Sequence, residues 1–238
     1  ESHAVSFALL VYISSWIKCY YPDVFAAAIL NSMPMGFYQP AQLVIDARKH
    51  GVTVREVDVN HSYWNNTLEE QVGAYKVLRL GFRQVKGLRE DDMEMLTTRR
   101  GEGYRTVGAL CDAGVPVNAL ERLAEADAFR SMGMDRRAAM WQVAALTDHP
   151  EKLFAGQASE TEQEPAIALP QISESEQVVR DYGSMGLSIK AHPVSFVREK
   201  LELLRIRPAA DLEQVKDKEK VKVAGLVLVR QRPGTASG

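Results

Sequence analysis

The sequence predicts a mainly α protein with small β elements. Three observations point there. Long stretches of the 238 residues are amphipathic or apolar runs of helical length, from SHAVSFALLVYISSWIKCY at the start to RRAAMWQVAAL past the middle. Two β-branched stretches, residues 52–57 and 220–232, read as short strands. Between them, residues 78–129 hold two copies of one device: helix, tight hairpin, helix.

Taken in order, residues 3–18 form a helix apolar nearly all round, the pattern of a buried helix. Its apolar run, residues 4–17, is too short to span a bilayer. Pro22 suits the first turn of a second helix, residues 23–31, and a third runs 40–50 with Leu43, Val44 and Ala47 inward and Gly51 as its stop. A weaker strand, 74–80, leads into the tandem device. A helix over 136–146 carries Trp141 on its apolar face. Residues 155–177 hold Glu160, Glu162, Glu164, Glu174 and Glu176 with no basic partner and are broken by Pro165 and Pro170, so they read as a flexible acidic linker. Residues 176–186 and 192–202 are short helices. The strand 220–232 has no visible partner.

The first copy of the device is LRLGFRQVKGLREDDMEMLTTRR, with the hairpin Val85-Lys86-Gly87-Leu88. The second is TVGALCDAGVPVNALERLAEADAF, with the hairpin Ala113-Gly114-Val115-Pro116. Gly87 and Gly114 permit φ > 0, which costs other residues about 1–2 kcal/mol. Val85, Leu88 and Val115 seat the turns in a small core. A turn of this kind aims backbone N–H groups at one point beside a helix N-terminus and so suits an anion. On nucleic acid the anion is a phosphate, which positions a protein without reading sequence. Arg79, Arg83, Lys86 and Arg89 surround the first turn, and Arg122 is the nearest cation to the second. The candidate DNA-binding set is Arg83, Lys86, Gly87, Leu88, Arg89, Gly114 and Val115. The plain alternative is a helical hairpin closed by a Gly cap.

Other chemistry is thinly represented. A net charge of −2 confines any nucleic-acid surface to a local patch. Cys19 and Cys111 lie far apart in apolar helical contexts and read as buried free thiols of a reducing cytosol. Glu90-Asp91-Asp92 is an acidic cluster in a first helical turn, where it complements the dipole rather than forming a metal pair. The five histidines have no zinc spacing, and no Gly-rich nucleotide loop is present. Ser2-His3 reads as a helix cap rather than as a nucleophile working with Lys18. The chain opens on Glu1 without a signal peptide or initiator Met, as a piece of a longer protein would.

The stretch ESHAVSFALLVYISSWIKCYYPDVFAAAILNSMPMGFYQPAQLVIDARKHGVTVREVDVNHSYW closely resembles bacterial DnaE-type DNA polymerases. SMPMGFYQPAQLVIDARKHGV is typical of their error-prone ImuC branch, and the resemblance continues through LRLGFRQVKGL, RRAAMWQVAAL and VVRDYGSMGLSIKAHPVSFVR. It implies the end of a fingers domain at 1–75 and a tandem helix-hairpin-helix region at 76–150. A linker and connector at 151–205 and the truncated start of an OB domain at 206–238, its first strand, would follow. It further implies translesion synthesis in the cytoplasm, on primer-template DNA. The catalytic aspartates would lie upstream, so no cofactor is expected in this piece and magnesium is expected for the intact polymerase. Ser2, His3 and Lys18 would belong to a motif near the incoming nucleotide. No clamp-binding peptide is visible between Leu146 and Gln177. That fits recruitment through ImuB- and ImuA-type accessory proteins, with the clamp reached only indirectly and no membrane involved. The competing functions are a stand-alone DNA-binding module and a protein-interaction module.

Overall fold

Proline and glycine set the limits of the first three helices. In the computed structural model, which describes residues 2–35, 39–147 and 170–227, α1 is Ser2–Tyr20, α2 is Pro22–Asn31 and α3 is Pro40–Lys49. Pro22 and Pro40 occupy first turns, where the missing N–H is not needed. Gln39 and Gln42 close a capping box on α3, and Gly51, at φ +87°, turns the chain away. Ala26, Ala27 and Leu30 of α2 and Ala41, Val44 and Ala47 of α3 are buried at helical spacing.

The expected burial of α1 is not met. Val5 is 71% exposed and Tyr12 69%, and along the helix only Ile17 and Lys18 are half-buried. Helix formation is local, but cover is not. A helix apolar on every face needs neighbours on every face, and α2 and α3 reach only its C-terminal end, where Lys18 pairs with Asp46 at 2.8 Å. Cys19 is likewise exposed and Cys111 half-buried, both free thiols.

A small sheet of order β1-β3-β2 follows, with β1 Val54–Arg55, β2 Thr67–Val72 and β3 Tyr75–Arg79. β1 runs parallel to β3, Val54 opposite Leu78. β2 is antiparallel to β3, Val72 opposite Tyr75, and the loop between them is Gly73-Ala74 with Gly73 at φ +68°. β3 runs into a 3-10 turn at Phe82–Gln84, then α4 Glu90–Thr98, α5 Val107–Asp112, α6 Val117–Glu125 and α7 Arg136–Thr147. Leu78, Leu80, Phe82, Leu110, Leu120 and Phe129 form the centre of the core, each at most 1% exposed. Ala139 and Val143 turn the inner face of α7, so Trp141, two residues from each, lies 54% exposed on the opposite side and not in the core as expected.

α8, Glu174–Met185, begins inside the expected acidic linker, whose residues 155–169 lie outside the described ones. Ser173 caps it by accepting from the Glu176 amide, the two glutamates fall in the first turn, and Glu176 pairs with Arg180 at 2.8 Å. The chain divides into two compact units, Glu1–Ile189 and Lys190–Gly238. In the second, a 3-10 turn at Pro193–Val197 leads to α9 Arg198–Leu203. β4 Ile206–Arg207 then pairs in parallel with β5 Lys222–Val223, a partner that sequence did not suggest; of the expected strand 220–232 only these two residues are strand among the described ones, and 228–232 lie outside them. None of the described residues of this unit is buried. Among the described residues no helix is long and apolar enough to cross a membrane.

Gly81 is the tightest point of the fold. A Cβ there would stand 2.4 Å from both the Asn65 carbonyl carbon and the Trp64 oxygen, and hydrogen bonds from the Phe82 and Arg83 amides to Tyr63 and Trp64 hold that backbone in place. Gly81→Ala should therefore cost on the order of 3 kcal/mol. Gly108→Ala, in α5 with only Thr106 Oγ1 at 4.0 Å, should be neutral or stabilise by up to about 1 kcal/mol. Thermal melts of the two variants check the contrast, and similar melting temperatures would refute it.

Candidate nucleic-acid interface

The two copies of the device superpose in sequence at an offset of 27 residues. α4, Glu90–Thr98, maps onto α6, Val117–Glu125, end to end, and Gly87 maps onto Gly114. The glycines adopt the expected backbone, φ +82° and +84°. The first arms differ. α5 is a helix, whereas its counterpart at the same offset, residues 80–85, holds only one 3-10 turn directly after strand β3, not the expected helix. The close approach at Gly81 holds that segment extended, with ψ at 163°.

Each hairpin glycine receives a side chain from the other copy. A Cβ on Gly87 would stand 3.4 Å from Arg122 Nε, and one on Gly114 would stand 2.9 Å from Met95 Sδ and 3.3 Å from Arg99 Nη1. Met95 and Arg122 are themselves related by the 27-residue offset, so the packing is reciprocal. Arg99 also donates to the Ala113 carbonyl at 2.8 Å. Sequence reasoning passed over Met95, Arg99 and Arg122 as seats for the hairpins. The signal was the offset itself, applied to the second helices as well as to the turns.

The candidate cations are mostly engaged within the protein. Arg83 donates to the Asn31 and Met33 carbonyls and to Asn65 Oδ1, tying the first hairpin to the end of α2. Lys86 donates its amide to Ser184 O at 2.9 Å and its ammonium to the Tyr182 and Gly183 carbonyls, capping the C-terminus of α8. Arg89 is exposed and 3.6 Å from Asp91. Arg122 pairs with Glu125 at 3.1 Å. Leu88 packs half-buried against the core, and Val115 is buried. The Gly114 and Val115 amides donate to Cys111 and Leu110 carbonyls and close α5. Among the described residues, no backbone acceptor is found for the amides of Gly87 and Leu88 in the first hairpin or of Val117 and Asn118 at the start of α6, nor for those of Glu90 and Asp91 at the start of α4. Residues 76–129 hold nine Lys and Arg against nine Asp and Glu, so the region carries no net charge.

Ser2, His3 and Lys18 are not brought together. Ser2 and His3 open α1, where His3 rests on the Phe7 ring, while Lys18 lies about 22 Å further along the same helix on Asp46. Among the described residues no group of three or more His, Cys, Asp or Glu is placed to hold a metal ion.

Arg79 is 8% exposed and its guanidinium donates to Glu69 and to the Glu56 carbonyl. Burial acts to raise the Glu69 carboxyl, but hydrogen bonds and charge from Arg79 and Arg55 outweigh it and hold the group below its ordinary range.

A helix-hairpin-helix motif model matches residues 51–139, the stretch that holds both hairpins, which defines the class: a protein with a helix-hairpin-helix motif. Along its whole length the chain is 52% identical to "error-prone DNA polymerase 1" of Rhizobium meliloti (strain 1021), covering 100% of this chain and 24% of that protein. It is 53% identical to the error-prone DNA polymerase of Mesorhizobium japonicum, over 98% and 23%, and 48% identical to that of Caulobacter vibrioides, over 100% and 24%. By sequence the chain belongs to the error-prone, DnaE-type DNA polymerases, and it spans about a quarter of the length of these relatives.

Two expectations follow. Lys86→Met should lower stability by on the order of 1 kcal/mol and raise amide exchange in the last turn of α8, because it removes a cap. Unchanged exchange there would show that the cap carries no weight. Glu69, being depressed in the folded state, contributes stability at pH values above its unfolded pKa, near 4.3. That contribution is lost as pH falls through the lower folded value, so Glu69→Gln should flatten the acid limb of a stability–pH curve. An unchanged limb would count against the Arg79–Glu69 bond.

Proposed function

We propose that the chain is the DNA-positioning part of an error-prone polymerase that copies across damaged template, and that its hairpins hold duplex or primer-template DNA through backbone amides without reading sequence. The observation that carries this reading is identity of about 50% along the whole chain to proteins named error-prone DNA polymerase, together with the helix-hairpin-helix match. The unpaired amides of Gly87, Leu88, Val117 and Asn118 support it, since two helix starts, α4 and α6, stand beside them. On this reading the end of the fingers domain, the connector and the start of an OB domain flank the hairpins. The paired carboxylates and their magnesium ions belong to the three-quarters of the relatives' length that this chain does not span. Its partners are primer-template DNA and ImuB- and ImuA-type accessory proteins, with the clamp reached through them, and it works in the cytoplasm.

The test is affinity for duplexes of unrelated sequence across a salt series. Wild type should bind weakly and alike to each. Arg89→Ala should lower the slope of log K against log salt by about 0.9 without changing the melt, if Arg89 neutralises one phosphate. Gly87→Val forces a β-branched residue to φ > 0, at a cost of about 1–3 kcal/mol, and should weaken binding at every salt concentration. Gly73→Val, equally strained at φ +68° but in the β2–β3 loop, should melt lower and bind as wild type does. If Gly87→Val and Gly73→Val bind alike, the hairpin does not touch DNA.

A further inference from the structure

The loop joining the two copies shapes a polar cavity of about 330 Å³, within the range of small-ligand sites. Asn60 builds one wall: its amide nitrogen donates to Tyr104 O and Ser131 Oγ, and its Oδ1 accepts from the Tyr104 amide. Gly103, at φ +110°, is pressed so close to Asn60 that a Cβ would stand 3.3 Å from Oδ1. Arg100, Arg105, His61 and the single acid Glu102 also line it. Arg100 is half-buried with one hydrogen-bond acceptor for its guanidinium, Ser62 O, and its Nε is buried without a partner. Five N–H donors and a full charge are thus poorly satisfied. Arg105 is exposed, and among the described residues neither arginine is ion-paired with a carboxylate. Burial lowers the Arg100 guanidinium from its ordinary value and outweighs the opposing influence of Tyr63, Tyr104 and the Asp58 carboxylate, none of which is within ion-pair distance.

Beside the cavity Tyr63 is 55% exposed, with the Arg100 guanidinium 5.2 Å from its ring centroid. The backbone that carries the ring is held in place. Ser62 is buried and bonded to Asp58 and Leu80, and the Tyr63 carbonyl accepts from the Phe82 amide at 2.9 Å. An open aromatic ring backed by guanidinium, next to unpaired cations, is how proteins hold unstacked bases with their backbone.

We propose that this cavity and Tyr63 form a binding site for single-stranded nucleic acid: a phosphodiester is drawn to Arg100 and Arg105, and the adjoining base stacks on Tyr63. Duplex DNA does not suit it, because its bases offer no free face. The site lies outside the hairpin turns and does not rest on their binding DNA.

The test uses the whole 238-residue chain and fluorescence anisotropy with an oligothymidylate and, separately, a blunt duplex of the same length. Tyr63→Leu should weaken oligothymidylate binding at least about fivefold, and Tyr63→Phe should retain it. Arg105→Ala, which removes no packing, should lower the salt slope on the oligothymidylate by about 0.7. Duplex affinity should be unchanged in all three. Equal binding by Tyr63→Leu and Tyr63→Phe overturns the stacking, and an unchanged slope in Arg105→Ala overturns the phosphate contact. Should Tyr63→Leu fail to fold, a full-strength Tyr63→Phe with a reduced slope in Arg105→Ala still supports the site. If the hairpins bind no duplex at all, the single-strand measurements still decide this proposal.

Discussion

The reciprocal seating of the two hairpins is the constraint on which the first unit depends. Gly87 lies under Arg122, and Gly114 lies under Met95 and Arg99. A glycine at each turn meets two demands at once. It supplies positive φ, and it leaves room for the second helix of the opposite copy. Because α4 and α6 share one length and one 27-residue offset, a shift in either helix disturbs the seat of the other hairpin. The turns are therefore fixed in space relative to each other, the rigidity that the proposed two-point hold on a DNA backbone requires.

A second tie fastens α8 to this pair. Arg136 at the start of α7 and Asp181 of α8 form an ion pair in which both side chains are at most 2% exposed. Arg136 also donates to Gln177 O at 3.0 Å, and Ser188 donates to Asp181 Oδ2 at 2.7 Å. A buried pair is a weak source of net stability but a strong one of specificity of docking, since removing one partner strands the other charge at a cost of about 3–5 kcal/mol. Docking brings the C-terminal carbonyls of α8 onto Lys86. The first hairpin is thus held from two sides, by Arg122 and by α8, and the second by α4.

What the sequence made legible was local. The glycines at positive φ, the Pro22 and Pro40 starts, the Gly51 stop and the tandem repeat all follow from rules that span a few residues, and the resemblance carried in the long motifs led to the polymerase family. What stayed hidden depended on distant partners. β2 was missed because TLEEQV is mostly polar, and it becomes a strand through pairing with β3. Lys86 looked like a phosphate ligand, yet its acceptors lie 96 to 98 positions along the chain. α1 looked buried because apolar composition reports a need for cover, not its presence. Trp141 was assigned to the core by composition alone, where the helical phase set by Ala139 and Val143 turns it outward.

The same partners change how the hairpins can work. A charge-driven DNA site needs cations free to displace counterions. Here Arg79, Arg83, Lys86, Arg99 and Arg122 all bond within the protein, and acids balance bases across residues 76–129. Glu90, Asp91 and Asp92 also stand in the first turn of α4, where they favour the helix dipole and oppose a nearby phosphate. Such a region offers fixed backbone N–H groups with little long-range attraction, so its proposed contribution is register and orientation rather than affinity. Within the first unit, Arg100 and Arg105 are a pair of arginines without carboxylate partners among the described residues, and they sit in the loop that joins the two copies. Positioning and charge are thereby separated by structure: rigid, neutral turns on one hand, and a cationic pocket with an open aromatic ring on the other.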